Sequence, residues 1–171
     1  MKQDYLAIVL RVIEEHHTIR GNIKLVGDSV NDLEAMFNLQ NVYASWTQSS
    51  IDALAQKRDK LLQTFSVLDA GLRRHFFYEE KYLPPIFGEI LIKALIMDHH
   101  EILRKIDEAN VMTSGTSFEG LAQEELLAKK TQFQQALIGI CKLNEDHLSR
   151  EEVILGMTKR ALEEEARSGV K

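Results

Sequence analysis

Six residues in this chain have side chains that can bind a cation and spacings that a helix would align: His16, His75, Glu79, His99, His147 and Glu151. His75 and Glu79 are four apart, as are His147 and Glu151, so each pair would sit one turn apart on one helix face. The order repeats. His16 is followed by His75-Phe76-Phe77-Tyr78-Glu79, and His99 by His147-Leu148-Ser149-Arg150-Glu151. The neighbours echo as well: Glu15-His16-His17-Thr18-Ile19-Arg20 beside Asp98-His99-His100-Glu101-Ile102-Leu103, and Glu79-Glu80 beside Glu151-Glu152. A helical hairpin repeated twice predicts a pseudo-twofold bundle with a dinuclear site on its axis.

All six residues interrupt apolar stripes of helical period. The first stripe is Val9, Val12, His16, Ile19, Ile23. The second is Leu54, Arg58, Leu61, Phe65, Leu68, Leu72, His75, Glu79, Tyr82. The third is Ile92, Leu95, His99, Ile102, Ile106. The fourth is Phe133, Leu137, Ile140, Asn144, His147, Glu151, Ile154. Of the six histidines, His17 and His100 follow stripe histidines and point about 100° away from them. A buried carboxylate without a partner costs several kcal/mol, and protonated imidazole returns only part of that. Two readings answer this cost: metal cations at the centre, which the convergence favours, or a polar core that shares protons.

The elements that must position these groups are four. Helical periodicity predicts a first helix over 3–38, a loop over 39–49, and a second helix over 51–83 capped by Ser49 or Ser50 and stopped by Pro84-Pro85. A third helix is predicted over 86–111, a loop over 112–117, and a fourth helix starting between Phe118 and Leu121, with a bend near Gly156 and a short final helix to about Arg167. Long helices with short connections predict an all-α, antiparallel up-down four-helix bundle, one domain over 1–171 with the bundle about 3–167. The expected lengths clash: about 12 residues follow His99 in the third helix and about 27 precede His147 in the fourth.

Composition narrows the function. The net charge of −5 argues against nucleic acid as a partner, since phosphate binding needs a concentrated basic face. One cysteine excludes an internal disulfide and any multi-cysteine metal site. No apolar run approaches the roughly twenty residues of a membrane span, and no targeting signal is visible, so the expectation is a cytoplasmic protein without a membrane partner.

The segments EEHHTIR, HFFYEEKYLPP, MDHHEIL and HLSREE together resemble the hemerythrin-like, HHE cation-binding domain, and the resemblance covers nearly the whole chain. It implies a four-helix bundle holding two non-haem irons, with His16, His75, Glu79, His99, His147 and Glu151 as ligands. The donors are four imidazole nitrogens and four oxygens from two bridging carboxylates. A bridging oxo or hydroxo group raises each metal to five-coordination and leaves one position open on each. Imidazole with carboxylate suits iron, with manganese or zinc as alternatives. Oxygen-carrying hemerythrins have a fifth histidine in an HxxxH pair on the third helix; here Leu95 and Leu103 stand four before and four after His99. They also end the fourth-helix motif with HxxxxD, where this chain has HxxxE, with Glu152 at the further position.

These departures point to the broader group and predict binding of O₂, NO or a related small oxidant, or azide-like anions, for sensing, storage or detoxification. Alternatives are a di-iron enzyme that reduces peroxide or NO, and an iron donor, iron–sulfur repair protein or signalling adaptor. A protein partner or homodimer is compatible with either. Leu72, Leu95, Ile102 and Ile140 are expected to wall the ligand pocket. Glu80 and Glu152 point off the stripes, as solvated groups or partners of histidine N–H groups, the solvated reading being favoured. Tyr82 is read as core packing, Asn144 as a partner for a metal-bound ligand, Cys141 as a buried inert thiol, and Tyr43 and Trp46 as loop residues.

Overall fold

A computed structural model describes residues 4–43, 47–114 and 123–168. Four helices account for them: α1 (Tyr5–Tyr43), α2 (Gln48–Tyr82), α3 (Pro84–Ser114) and α4 (Gln123–Ser168). No strand occurs among the described residues. Ion pairs fix the directions. Glu15 meets His75 and Asp32 meets Lys57, so α1 and α2 run antiparallel. Glu80 meets His99 and Arg73 meets Asp107, which reverses α3 against α2. Arg20 with Glu145 and Glu34 with Lys130 close α4 against α1. The helices therefore form an up-down square in chain order.

Several boundaries differ from expectation. The cap of α2 is Thr47, not Ser49 or Ser50. Its backbone is extended (φ −90°, ψ 159°), and its hydroxyl accepts the Ser50 N–H at 3.2 Å. Ser50 serves the cap from the third helical position, so the polar cluster was right and the phase was off by two or three residues. α1 continues through 39–43, which were expected to be loop; Trp46 lies outside the described residues. α4 passes through Gly156 without interruption, so there is no separate final helix. The expected start of α4 at 118–121 lies outside the described residues.

The junction of α2 and α3 is built by the two prolines and Gly88. The Leu83 N–H still bonds to Glu79 O at 2.9 Å, and Pro84, which has no N–H, ends the ladder there. One turn forms over Ile86 and Phe87, both bonding to Leu83 O at 2.9 Å. Gly88 then takes φ 76° and ψ 166°, a conformation that side chains disfavour, and redirects the chain into the long part of α3. α3 runs to Ser114, three residues past its expected end at Val111. This shortens the expected mismatch, and the rest of the connection to α4 lies outside the described residues.

The apolar core is in two parts. A larger cluster includes Ile19, Leu33, Phe37, Phe65, Leu72, Ile102 and Ile140. A smaller one includes Val9, Val12, Leu83, Ile92, Leu95 and Leu155. Between them in the register of all four helices lie His16, His75, Glu79, His99, His147 and Glu151, each 2% exposed or less. The α4 stripe is shifted slightly from expectation: Leu148 and Leu155 are buried, while Phe133 and Ile154 are half-buried.

Candidate metal centre

Each helix delivers one imidazole to this layer, and α2 and α4 each add a glutamate one turn on. The side chains meet. Nε2 of His75 lies 2.8 Å from Glu79 Oε1, and Nε2 of His99 lies 3.2 Å from Glu79 Oε2. His16 Nε2 lies 3.4 Å from Glu79 and 3.5 Å from Glu151, and His147 Nε2 lies 3.5 Å from Glu151. All four Nε2 atoms therefore face the two inner carboxylates. Donor atoms of His16, His75, Glu79 and Glu151 lie within 4.8 Å of one another, as do those of Glu79, His99 and His147. Two overlapping groups that could each hold a cation thus share Glu79.

These approaches do not satisfy the groups. The buried side-chain atoms without a hydrogen-bond partner among the described residues are His16 Nδ1, His75 Nε2, Glu79 Oε2, His99 Nε2, His147 Nε2, both carboxylate oxygens of Glu151, and Asn144 Oδ1. All but the last belong to the six predicted ligands. Folded proteins leave few such atoms, because each unpaired buried polar group costs about 1–3 kcal/mol. Six of the seven atoms on the predicted ligands, all but the outward His16 Nδ1, lie together with the inner carboxylates, and that concentration fits a cation that would take the lone pairs.

The protonation preferences conflict in the same way. Burial opposes the charge on Glu79, yet the imidazoles of His16, His75 and His99 overcome it and hold the carboxyl well below its ordinary range. Burial also opposes charge on His75, but Glu15 and Glu79 outweigh it and raise the imidazole to about 9. His16 and His99 rise for the same reasons, through Glu151 and Glu79 for the first and Glu79 and Glu80 for the second. Burial, with His99 beside it, pushes His147 down to about 4. Burial and the Glu79 charge push Glu151 up. Like groups are driven apart: Glu79 below and Glu151 above the usual carboxylate range, His75 above and His147 below the usual imidazole range.

Aromatic and polar residues complete the surroundings. Phe76, absent from the predicted stripe, is buried and stacks on His99 (centroids 4.0 Å apart, planes 8° apart) with its edge to His147. Of the residues expected to wall a ligand pocket, Leu72, Ile102 and Ile140 belong to the larger cluster, whereas Leu95 lies in the smaller one. Asn144 is fully buried; its Nδ2 donates to Ile140 O at 2.8 Å. Tyr82 packs on the smaller cluster beside Tyr78, as core. Cys141 is half-buried rather than buried, and desolvation raises its thiol to about 11.

His17 is exposed and donates Nδ1–H to Ile13 O at 2.8 Å, and His100 is exposed too, so both stand off the layer as expected. Glu80 and Glu152 are not simply solvated. Glu80 lies 2.9 Å from His99 Nδ1, and Glu152 lies 3.7 Å from His16 Nδ1. The sequence reading missed their counterparts, Glu15 at 2.9 Å from His75 Nδ1 and Asp98 at 3.4 Å from His147 Nδ1. The available signal was the acid that directly precedes each of His16 and His99.

A four-helix bundle with clustered imidazole and carboxylate donors between its helices defines a cation-binding bundle protein. Residues 7–158 match the model of the hemerythrin HHE cation-binding domain, and the chain belongs to that family. No curated protein and no solved structure matches it.

Proposed function

We propose that this is a non-haem di-iron protein that binds O₂, NO or a related small oxidant in the cytoplasm, for sensing, storage or detoxification. The observation that carries the reading is the set of six unpartnered buried donor atoms on His75, Glu79, His99, His147 and Glu151, with His16 Nε2 turned toward the same two carboxylates. These six residues would hold the irons, with Glu79 common to both donor groups and Glu151 reaching toward both His16 and His147. Bound iron would supply electrons and open coordination positions to a small ligand.

The chain's own residues do the rest. The four imidazoles present Nε2 inward, and the two carboxylates bring negative charge that a cation offsets. Phe76 and the apolar residues on both sides exclude water, which favours small, weakly hydrated ligands over large or strongly solvated ones. Leu103, half-buried where oxygen carriers place a further histidine, contributes no donor atom.

Elemental analysis with optical spectra of protein purified in air and without air tests the reading. The expected result is close to two metal ions per chain, mainly iron, with an azide-dependent charge-transfer band in the oxidised form. Stopped-flow mixing of the anaerobic reduced protein with oxygenated buffer should show oxidation rather than a stable reversible adduct. Metal content near zero from iron-replete cells would remove the reading. Sustained turnover of peroxide or NO with a reductant would convert it to an enzyme.

A further inference from the structure

The outer nitrogens of the four imidazoles have a pattern of their own. Glu15 on α1 meets His75 on α2 at 2.9 Å, Glu80 on α2 meets His99 on α3 at 2.9 Å, Asp98 on α3 meets His147 on α4 at 3.4 Å, and Glu152 on α4 approaches His16 on α1 at 3.7 Å. Each acid is the immediate sequence neighbour of a buried ligand candidate on its own helix, yet it faces the imidazole of the next helix. The circuit runs α1 to α2 to α3 to α4 and back to α1.

We infer that Glu15, Glu80 and Asp98 are positioning residues of an outer carboxylate ring, each one orienting the histidine of the following helix, while Glu152 closes the ring at 3.7 Å from His16 Nδ1 without a hydrogen bond. The inference rests on the metal-binding reading for its purpose, and on the distances alone for its geometry. A carboxylate only accepts, so an imidazole that meets one through Nδ1 must carry its hydrogen there. In the neutral ring the Nε2 lone pair is then free, and on α2, α3 and α4 it faces the inner carboxylates. An outer carboxylate of this kind fixes ring orientation and raises the donor strength of the imidazole.

Three members of the ring are themselves held. Arg11 bonds Glu15 at 2.9 Å, Arg150 bonds Asp98 at 2.8 Å, and Arg20 bonds Glu152 at 3.0 Å while also reaching Glu145 at 3.1 Å. Arg20 draws Glu152 to the surface, and the Glu152–His16 approach is correspondingly the longest of the four. Glu80 has His99 and no basic side chain beside it among the described residues. The ring is therefore tight at Glu15 and Glu80, intermediate at Asp98 and loose at Glu152.

The direction of the ring gives a test that simple structural support would not pass. Zinc is used as the probe because it is diamagnetic, and the histidine ring nitrogens are followed by long-range proton–nitrogen correlation in metal-free and zinc-loaded protein. Glu15→Ala should move the signals of His75 and leave its neighbour His16 unchanged. Glu80→Ala should move His99, and Asp98→Ala should move His147 rather than His99. Zinc affinity should fall about 10-fold or more in these three variants and less than 3-fold in Glu152→Ala, within the range such partners usually contribute. Gln at position 15 or 80 keeps an accepting oxygen and should restore ring orientation. Asp32→Ala, which removes a surface ion pair with Lys57, serves as control and should move no histidine signal.

Signals that shift on the sequence-adjacent histidine, or unchanged signals and affinity in all four Ala variants, would overturn the ring. The metal-free spectra report it even if zinc does not bind, so a failure of the metal reading and a failure of the ring give different results.

Discussion

At the residue scale, orientation separates two pairs of adjacent histidines. His16 and His99 are buried with Nε2 toward Glu79, whereas His17 and His100 are exposed. Ala at position 16 or 99 should therefore strip metal from the protein, and Ala at 17 or 100 should leave metal content within error, as measured by elemental analysis of folded material. Asn144 belongs to the same scale. Its Oδ1 is buried and unpartnered among the described residues, one turn before His147 on α4. Replacing a buried amide whose oxygen is unsatisfied with an apolar group of similar size relieves about 1–3 kcal/mol, less the Nδ2 bond to Ile140 O that is lost. Asn144→Leu should therefore raise the melting temperature of the chelated protein by several degrees. If the melting temperature drops instead, Oδ1 has a partner that the bare side chains do not reveal.

At the element scale the sensitive point is the junction of α2 and α3. Gly88 has a positive φ, and a β-carbon there would meet nothing within 4 Å, so any cost of substitution is backbone strain. Gly88→Ala should destabilise by about 1–3 kcal/mol without changing metal stoichiometry. A denaturant midpoint that does not move would show that the junction relaxes. The sequence could not expose this residue, because the paired prolines mark a helix stop and mask the short turn that follows. Thr47 was hidden for a related reason: Ser49 and Ser50 offer the same chemistry, and only backbone conformation picks the cap. The six inner residues were legible because each breaks an apolar stripe. Glu15 and Asp98 were not, since their role depends on which neighbouring helix they face, and that is set by interhelical register rather than by spacing along one helix.

At the scale of the whole molecule, a polar layer between two apolar clusters makes stability depend on what occupies it. Chelation should lower the melting temperature, because a ligand that binds only the folded chain stabilises it. The chelated protein should also have its own pH optimum. His75, raised to about 9, gives stability that is full below its unfolded value near 6.5 and is lost as pH rises toward 9. His147, lowered to about 4, gives stability that is full above 6.5 and is lost as pH falls toward 4. The metal-free melting temperature should therefore peak near neutrality and fall on both sides. The loaded protein should hold its stability on the alkaline side, where deprotonated imidazole binds metal best. Parallel pH profiles for the two forms would contradict this assignment.

The two clusters are unequal, and that sets where the bundle opens. Among the described residues, eighteen buried ones form the larger and seven the smaller. The short arm comprises the start of α1, the end of α2 and start of α3, and the segment of α4 around Leu155. With the polar layer unfilled, few buried contacts join this arm to the rest, and such regions open as separate cooperative units. Amide protons around Val9, Val12 and Leu155 should then exchange with deuterium well before those around Leu61, Phe65 and Leu137. Metal binding should slow the first group far more than the second, because it ties the short arm to the long one through all four helices. In that case the cation acts as a splice between two unequal foldons, and its loss would first be seen as fraying at one end of the bundle while the other end stays closed.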